Sequence, residues 1–234
     1  MKERKLTLIL DLDNTILHSW SFHGFTHSPD YYGRIFPGKD IFQLPIDPNR
    51  EITTKTKLRP FLKQFIEIVQ PLFSIYIYTM GNRKYADLIV GILNKEIPSF
   101  KMDTKRVITR DDGHQHTSGE MVKTLRQLSP TDMSFFLILD DKADVWPGAQ
   151  QNLLQVYPYV YFSGRDELML KRYPKYFKSF IEEDIDPFLP YYALYLKKLH
   201  HEYFEKYDSE GQTESLDLRT IHTNSFRYLF KGLT

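Results

Sequence analysis

Four short runs of nearly unbroken apolar, β-branched and aromatic residues recur along the chain: residues 6–10 (LTLIL), 72–79 (LFSIYIYT), 134–141 (SFFLILDD) and 153–162 (LLQVYPYVYF). Runs of this length without strict alternation describe strands buried on both faces, as in a parallel sheet. Between them the apolar positions change to helical spacing, in residues 59–70 (RPFLKQFIEIVQ), 82–96 (NRKYADLIVGILNKE) and 119–128 (GEMVKTLRQL). Pro60 stands where a first helical turn tolerates it. Strands alternating with helices predict an α/β fold built on a doubly wound, mainly parallel sheet.

Two stretches break the alternation. Residues 20–57 show no helical period and carry Pro29, Pro37, Pro45, Pro48 and seven aromatics, Trp20, Phe22, Phe25, Tyr31, Tyr32, Phe36 and Phe42. This composition reads as a β-hairpin-like insertion directly after the first strand. From Asp166 onward the pattern is helical, in residues 166–181, 187–207 and 216–232, with a polar segment at 208–215. The expected organisation is a domain over residues 1–165 with a helical extension, 166–234, packed on it.

Composition narrows the field. A charged fraction of 26% and a hydrophobic fraction of 41% are those of a globular protein. Net charge is +1, and residues 1–165 hold 21 basic against 18 acidic side chains, so no polybasic footprint predicts direct nucleic-acid binding. There is no cysteine, which excludes disulfides, thiolate metal sites and cysteine nucleophiles. The start MKERKLTLILD passes from charge straight into a strand, unlike a signal peptide. No window approaches the roughly 18 apolar residues of a membrane span, so no membrane partner is expected.

Ligands of doubly wound sheets bind beyond the carboxyl ends of the strands. There the first run ends in Asp11, Asp13 and Thr15, the second in Thr79 and the third in Asp140 and Asp141. Residues i and i+2 of a strand share a face, so Asp11 and Asp13 can address one point. Lys123, in the helical pattern before the third run, adds an ammonium. Carboxylates in this number do not converge without a cation, and oxygen ligands without His or Cys favour Mg²⁺.

This ordered set resembles the four motifs of the haloacid dehalogenase superfamily of phosphotransferases. More closely, YTMGNRKYAD (78–87), KLRPFL (57–62), VITRDD (107–112) and LDDKADVW (139–146) resemble the Fcp-type phosphatases, which act on the phosphorylated carboxy-terminal repeat of RNA polymerase II. The similarity runs from about Lys5 to Phe162 and touches the helical tail. It implies a HAD-like, Rossmannoid fold and a protein-serine phosphatase working in the nucleus on that polymerase tail. General transcription factors are further candidate partners. It also implies roles: Asp11 as nucleophile, Asp13 as acid and base, Thr79 and Lys123 on the phosphoryl oxygens, and Asp140 orienting Lys123. Mg²⁺ would be held by Asp11, the backbone carbonyl of Asp13 and Asp141. Fcp-type proteins continue into a BRCT module, and none is expected in this sequence.

Arg59 and Arg110 match family arginines and are candidate substrate contacts, with surface ion pairing as the alternative. Thr15 is grouped with them at the substrate-binding site, where it either bridges the first motif to Arg59 or Asp140 or caps a turn. Trp146 reads as packing, His114 and His116 as solvated loop residues, and His200 and His201 as part of an amphipathic helix. Two other functions stay open: a small phosphoserine phosphatase with another protein target, and a non-catalytic phosphopeptide-binding module.

Overall fold

The computed structural model describes residues 4–23, 40–47, 52–112, 114–115, 121–128, 132–162, 186–209 and 216–222. Its centre is a five-stranded parallel sheet. β1 (Leu6–Leu10) lies between β5 (Phe73–Tyr78) and β9 (Phe136–Asp140), with β6 (Val107–Ile108) and β10 (Leu153–Gln155) at the edges. Leu10 pairs with Ile77 on one side and Leu139 on the other, so the three central strands end at one level. The expected α/β architecture with a mainly parallel sheet is present.

Both sheet faces are apolar, as unbroken runs require. Leu6, Leu8, Leu10, Phe73, Ile75, Ile77, Leu137 and Leu139 face the larger core, which the helices cover. α1 (Leu62–Val69) contributes Leu62, Phe65, Ile66 and Val69, and α2 (Arg83–Glu96) contributes Tyr85, Ala86, Ile89, Val90 and Leu93. Both sets follow the helical stripe of i, i+3, i+4 and i+7 neighbours. α3 (Phe188–Ser209) joins the same core through Leu189, Tyr192, Leu196 and Leu199. The opposite face holds Ile9, Tyr78, Phe136 and Ile138 under Leu125, Trp146 and Ala149, which come from irregular chain. Pro60 precedes α1 instead of sitting in its first turn: the helix starts at Leu62, after Phe61 in a left-handed conformation with φ 64°.

The insertion is a three-stranded antiparallel sheet, wider than a hairpin and beginning earlier than expected. β2 (Leu17–His23) pairs with β4 (Ile52–Leu58), which pairs with β3 (Ile41–Asp47). Residues 24–39 and 48–51 lie outside the described residues, as do His116, the helix expected over 166–181 and the end of that expected over 216–232.

Two expectations are corrected. The helix expected over 119–128 is not formed in its described part, 121–128: Met121–Val122 is a strand, β8, paired with β7 (His114–Gln115), and residues 125–127 are a single 3₁₀ turn. Thr124 between them is extended, with its hydroxyl accepting from Arg126 N, and Lys123 N donates to the Val145 carbonyl. Tertiary anchoring of Lys123 outweighs the weak local pattern. The fourth strand is also shorter, with only Leu153–Gln155 pairing in the sheet. Pro158 offers no backbone donor, and the chain turns across the sheet end, where Tyr159 N donates to the Asn14 carbonyl. Tyr161 and Phe162 then donate their amides to His18 Nδ1 on β2.

Candidate phosphoryl-transfer site

Asp11 is the first residue beyond β1, and its amide continues the sheet by donating to the Leu139 carbonyl at 3.0 Å. The next residues turn sharply. Thr15, Ile16 and Leu17 all donate to the Leu12 carbonyl, and Asn14 takes a positive φ of 62°. Asn is among the few residues that adopt this conformation at low cost, and its side-chain amide is fixed to the Tyr159 carbonyl at 3.0 Å. The turn displays Asp11, Asp13 and Thr15 together on a rigid base.

Lys123 is the hub. Its Nζ donates to Asp11 Oδ1 at 2.6 Å and to Asp140 Oδ2 at 2.7 Å, and its side chain is only 1% exposed. Burial pulls the ammonium down, but Asp11 and Asp140 outweigh that and hold it above its ordinary value. The Tyr78 and Trp146 rings stand 5.8 and 5.5 Å from the nitrogen. Trp146 does more than pack, because its indole N–H donates to Asp140 Oδ2 at 2.8 Å. Asp140 Oδ1 accepts from Lys142 N. Asp140 is thus fixed on both oxygens and fixes Lys123 in turn.

Thr15 serves as a bridge, the first of the two roles expected of it. Its hydroxyl donates to Asp11 Oδ2 at 3.1 Å and accepts from Asp141 N at 3.2 Å, while its carbonyl accepts from Arg59 at 2.8 Å. Arg59 is not a surface residue. It is 1% exposed, forms a two-point pair with Asp186 at 3.1 and 3.0 Å, and ties the start of α3 to the Thr15 turn. Arg110 is placed differently: it is exposed on a 3₁₀ turn, 4.0 Å from Asp111, with its amide bonded to the Gly81 carbonyl.

Thr79 follows β5 and is buried. Its hydroxyl accepts from Gly81 N at 2.9 Å, so its own proton stays available for another acceptor. Asp13 is set apart from the Lys123 hub. Its Oδ1 accepts from the Tyr85 hydroxyl at 2.6 Å, which lies 2.6 Å from Ser19 Oγ, itself 2.7 Å from Thr56 Oγ1. Tyr85, Ser19 and Thr56 escaped the sequence reading. The available signal was Asn82, a capping residue that places Tyr85 in the first turn of α2 by accepting its amide. A Cβ at Gly81 would collide with the Tyr85 ring, which explains the glycine.

Burial pushes Asp11 up to about 8, with Lys123 opposing and Asp140 reinforcing the shift. It pushes Asp141 up to about 7, with Asp140 adding to it, and raises Asp13 against the bond from Tyr85. Three neighbouring carboxyls, Asp11, Asp13 and Asp141, are thus all held toward the neutral form. One oxygen each from Asp11, Asp140 and Asp141 lies within 4.8 Å of the others. A set of hard oxygen donors short of positive charge fits a divalent cation such as Mg²⁺.

A parallel sheet with carboxylates and hydroxyls gathered beyond the strand ends, around a buried carboxylate–lysine hub, has the architecture of an α/β phosphatase. Residues 6–186 match the NLI interacting factor-like phosphatase family, and the chain belongs to that family. It is 34% identical over 167 residues to a human phosphatase of the RNA polymerase II C-terminal domain, covering 71% of this chain and 16% of that protein. Identity with the same-named protein of Encephalitozoon cuniculi is 38% over 173 residues, covering 73% and 36%. Among solved structures, that of Fcp1, an essential RNA polymerase II CTD phosphatase, superposes with a TM-score of 0.67 at 26% identity, over 94% of this chain and 70% of that one. The chain thus spans well under half the length of these two curated relatives.

Proposed function

We propose that this chain is a Mg²⁺-dependent protein-serine phosphatase acting on the C-terminal heptad-repeat tail of RNA polymerase II through an aspartyl-phosphate intermediate. The observation that carries this reading is the division of labour between two aspartates two residues apart. Asp11 is locked to Lys123 and Thr15, whereas Asp13 is turned to the Tyr85 hydroxyl.

In this reading an Asp11 oxygen attacks phosphorus and the bond from phosphorus to the serine oxygen breaks. Asp13, whose carboxyl burial keeps protonated to higher pH, gives its proton to the leaving oxygen. It then takes a proton from the water that cleaves the aspartyl-phosphate. Thr79, with its hydroxyl proton free, and Lys123 hold phosphoryl oxygens, and Asp140 with Trp146 holds Lys123. Thr15 keeps Asp11 at a fixed angle. Mg²⁺, held by Asp11 and Asp141 with the Asp13 carbonyl, would offset the repulsion between the carboxylates and a phosphate dianion. Arg110, exposed near the Thr79–Gly81 turn, is left as a substrate contact, whereas Arg59 acts by holding Thr15.

The polymerase tail as substrate rests on the relatives' names and on the match of the whole described fold. Such action would be nuclear. Residues 1–165 would form the catalytic unit and 166–234 its helical extension. The test is turnover on repeat peptides phosphorylated at single serines, with unrelated phosphopeptides alongside. Asp11→Asn is expected to abolish hydrolysis while the fold survives, and chelation to stop the wild type until Mg²⁺ returns. Equal rates on unrelated peptides would remove the polymerase assignment, and turnover by Asp11→Asn would remove the nucleophile.

A further inference from the structure

At the opposite end of the strands lies a cavity of about 310 Å³ that the phosphatase chemistry does not use. Its apolar floor is made by Phe73 and Ile75 at the start of β5 with Phe100 and Met102 from the loop after α2. Lys5, Lys101 and Arg106 line the same cavity with a single acidic residue, Asp103. At about 3.3 Å per residue along β1, Lys5 lies roughly 20 Å from Asp11 and Ile75, level with Leu8, roughly 10 Å from it, so a ligand here is not the reacting phosphate.

The cavity is built rather than incidental. Asn94 clamps the loop by accepting from Met102 N at 2.7 Å and donating to the Met102 carbonyl at 3.1 Å. Lys101, directly before the clamp, is held at a positive φ of 40°, a conformation costly for a lysine and kept only where the surroundings impose it. The Asp103 carboxylate is engaged in capping the next turn through Lys105 N. Arg106 lies 5.7 Å over the Tyr76 ring, and among the described residues neither it nor Lys101 pairs with a carboxylate.

We infer that this cavity is a docking site for an acidic peptide segment of a partner protein, anchored by one aromatic or aliphatic side chain. The cations come from two chain segments beside an apolar floor, Lys5 ahead of β1 and Lys101 with Arg106 in the loop after α2. That layout matches several carboxylates spread along a backbone with one apolar residue between them, better than a single small anion. A cavity of about 310 Å³ has room for one large side chain.

The test is a fluorescence-anisotropy titration of the whole chain with a labelled nonapeptide of alternating Glu and Asp around one central Phe. Saturable binding is expected. It should weaken by roughly tenfold or more on the double change Lys101→Glu and Arg106→Glu, and on replacing the peptide's Phe with Ser. It should be unaltered by Asp11→Asn, which separates this site from the catalytic end. Circular dichroism melting checks that the charge-reversed protein folds; if it does not, Lys101→Gln with Arg106→Gln serves instead. Absence of saturable binding, equal binding by the doubly changed protein, or equal binding of the Ser peptide would each overturn the inference.

Discussion

The Tyr85 hydroxyl donates to Asp13 at 2.6 Å, and Ser19 and Thr56 of the inserted sheet continue the chain of hydrogen bonds behind it. Each hydroxyl carries one proton, so an ionised Asp13 sets the direction of the whole chain: Thr56 donates to Ser19, Ser19 to Tyr85, and Tyr85 to the carboxylate. A protonated Asp13 can reverse it. The insertion therefore reaches the proposed proton carrier through Tyr85 of α2.

Tyr85→Phe tests this link. Burial is the main force raising Asp13, and the Tyr85 bond opposes it by favouring the charged form. Removing the bond raises the Asp13 carboxyl further. The limb of the pH–rate profile belonging to Asp13 should therefore move to higher pH. The rate constant kcat should fall by roughly ten- to a hundredfold. An unshifted profile with lower kcat would mean that Tyr85 only supports the fold.

Arg59 and Asp186 form a buried pair that links the Thr15 turn to the start of α3. Removing one partner of such a pair leaves an uncompensated charge, at a cost of about 3–5 kcal/mol. Asp186→Ala is expected to lower the urea midpoint accordingly and to reduce activity, although residue 186 is remote in sequence from every motif. Full stability in this variant would show that solvent reaches the guanidinium.

Mg²⁺ binding to the carboxylate cluster should be visible without turnover. A cation that binds only the folded chain raises the melting temperature with concentration. The wild type is expected to show this rise and Asp141→Asn to lose most of it, read by calorimetry with EDTA-treated protein. Equal shifts in both proteins would move the cation elsewhere.

The strand ends were legible because unbroken apolar runs finishing in carboxylates have few physical explanations. Asp11, Asp140 and Lys123 do converge, and Thr15 bridges them to Asp141 and Arg59. Lys123 was attached to the wrong element because the pattern GEMVKTLRQL has a helical period, while long-range bonds to Asp11, Asp140 and Val145 hold it in extended chain. Arg59 shows the same limit. Nothing local tells a buried arginine from a surface one, since its partner lies 127 residues away. Tyr85 was hidden for a different reason: its ring belongs to the apolar stripe of α2, and only the fold brings its hydroxyl to Asp13.

His18 gives the fold a pH dependence of its own. Burial lowers its imidazole from 6.5 to about 4, and Nδ1 must stay unprotonated to accept the Tyr161 and Phe162 amides. An unfolded chain takes up this proton near 6.5, whereas the folded one resists until about 4. The contribution is therefore complete above pH 6.5 and is lost as pH falls toward 4, with a span of about 2.5 units worth about 3 kcal/mol. The raised carboxyls of Asp11, Asp13 and Asp141 act with the opposite sign, so the comparison has to be made against a variant rather than across pH alone. His18→Asn offers an oxygen acceptor in place of Nδ1 and does not titrate. Urea unfolding at pH 7.5, 6 and 5 should show the wild type losing stability relative to His18→Asn as pH falls. Parallel losses in the two proteins would mean that His18 is protonated in the folded state and that the amides of Tyr161 and Phe162 are satisfied in another way.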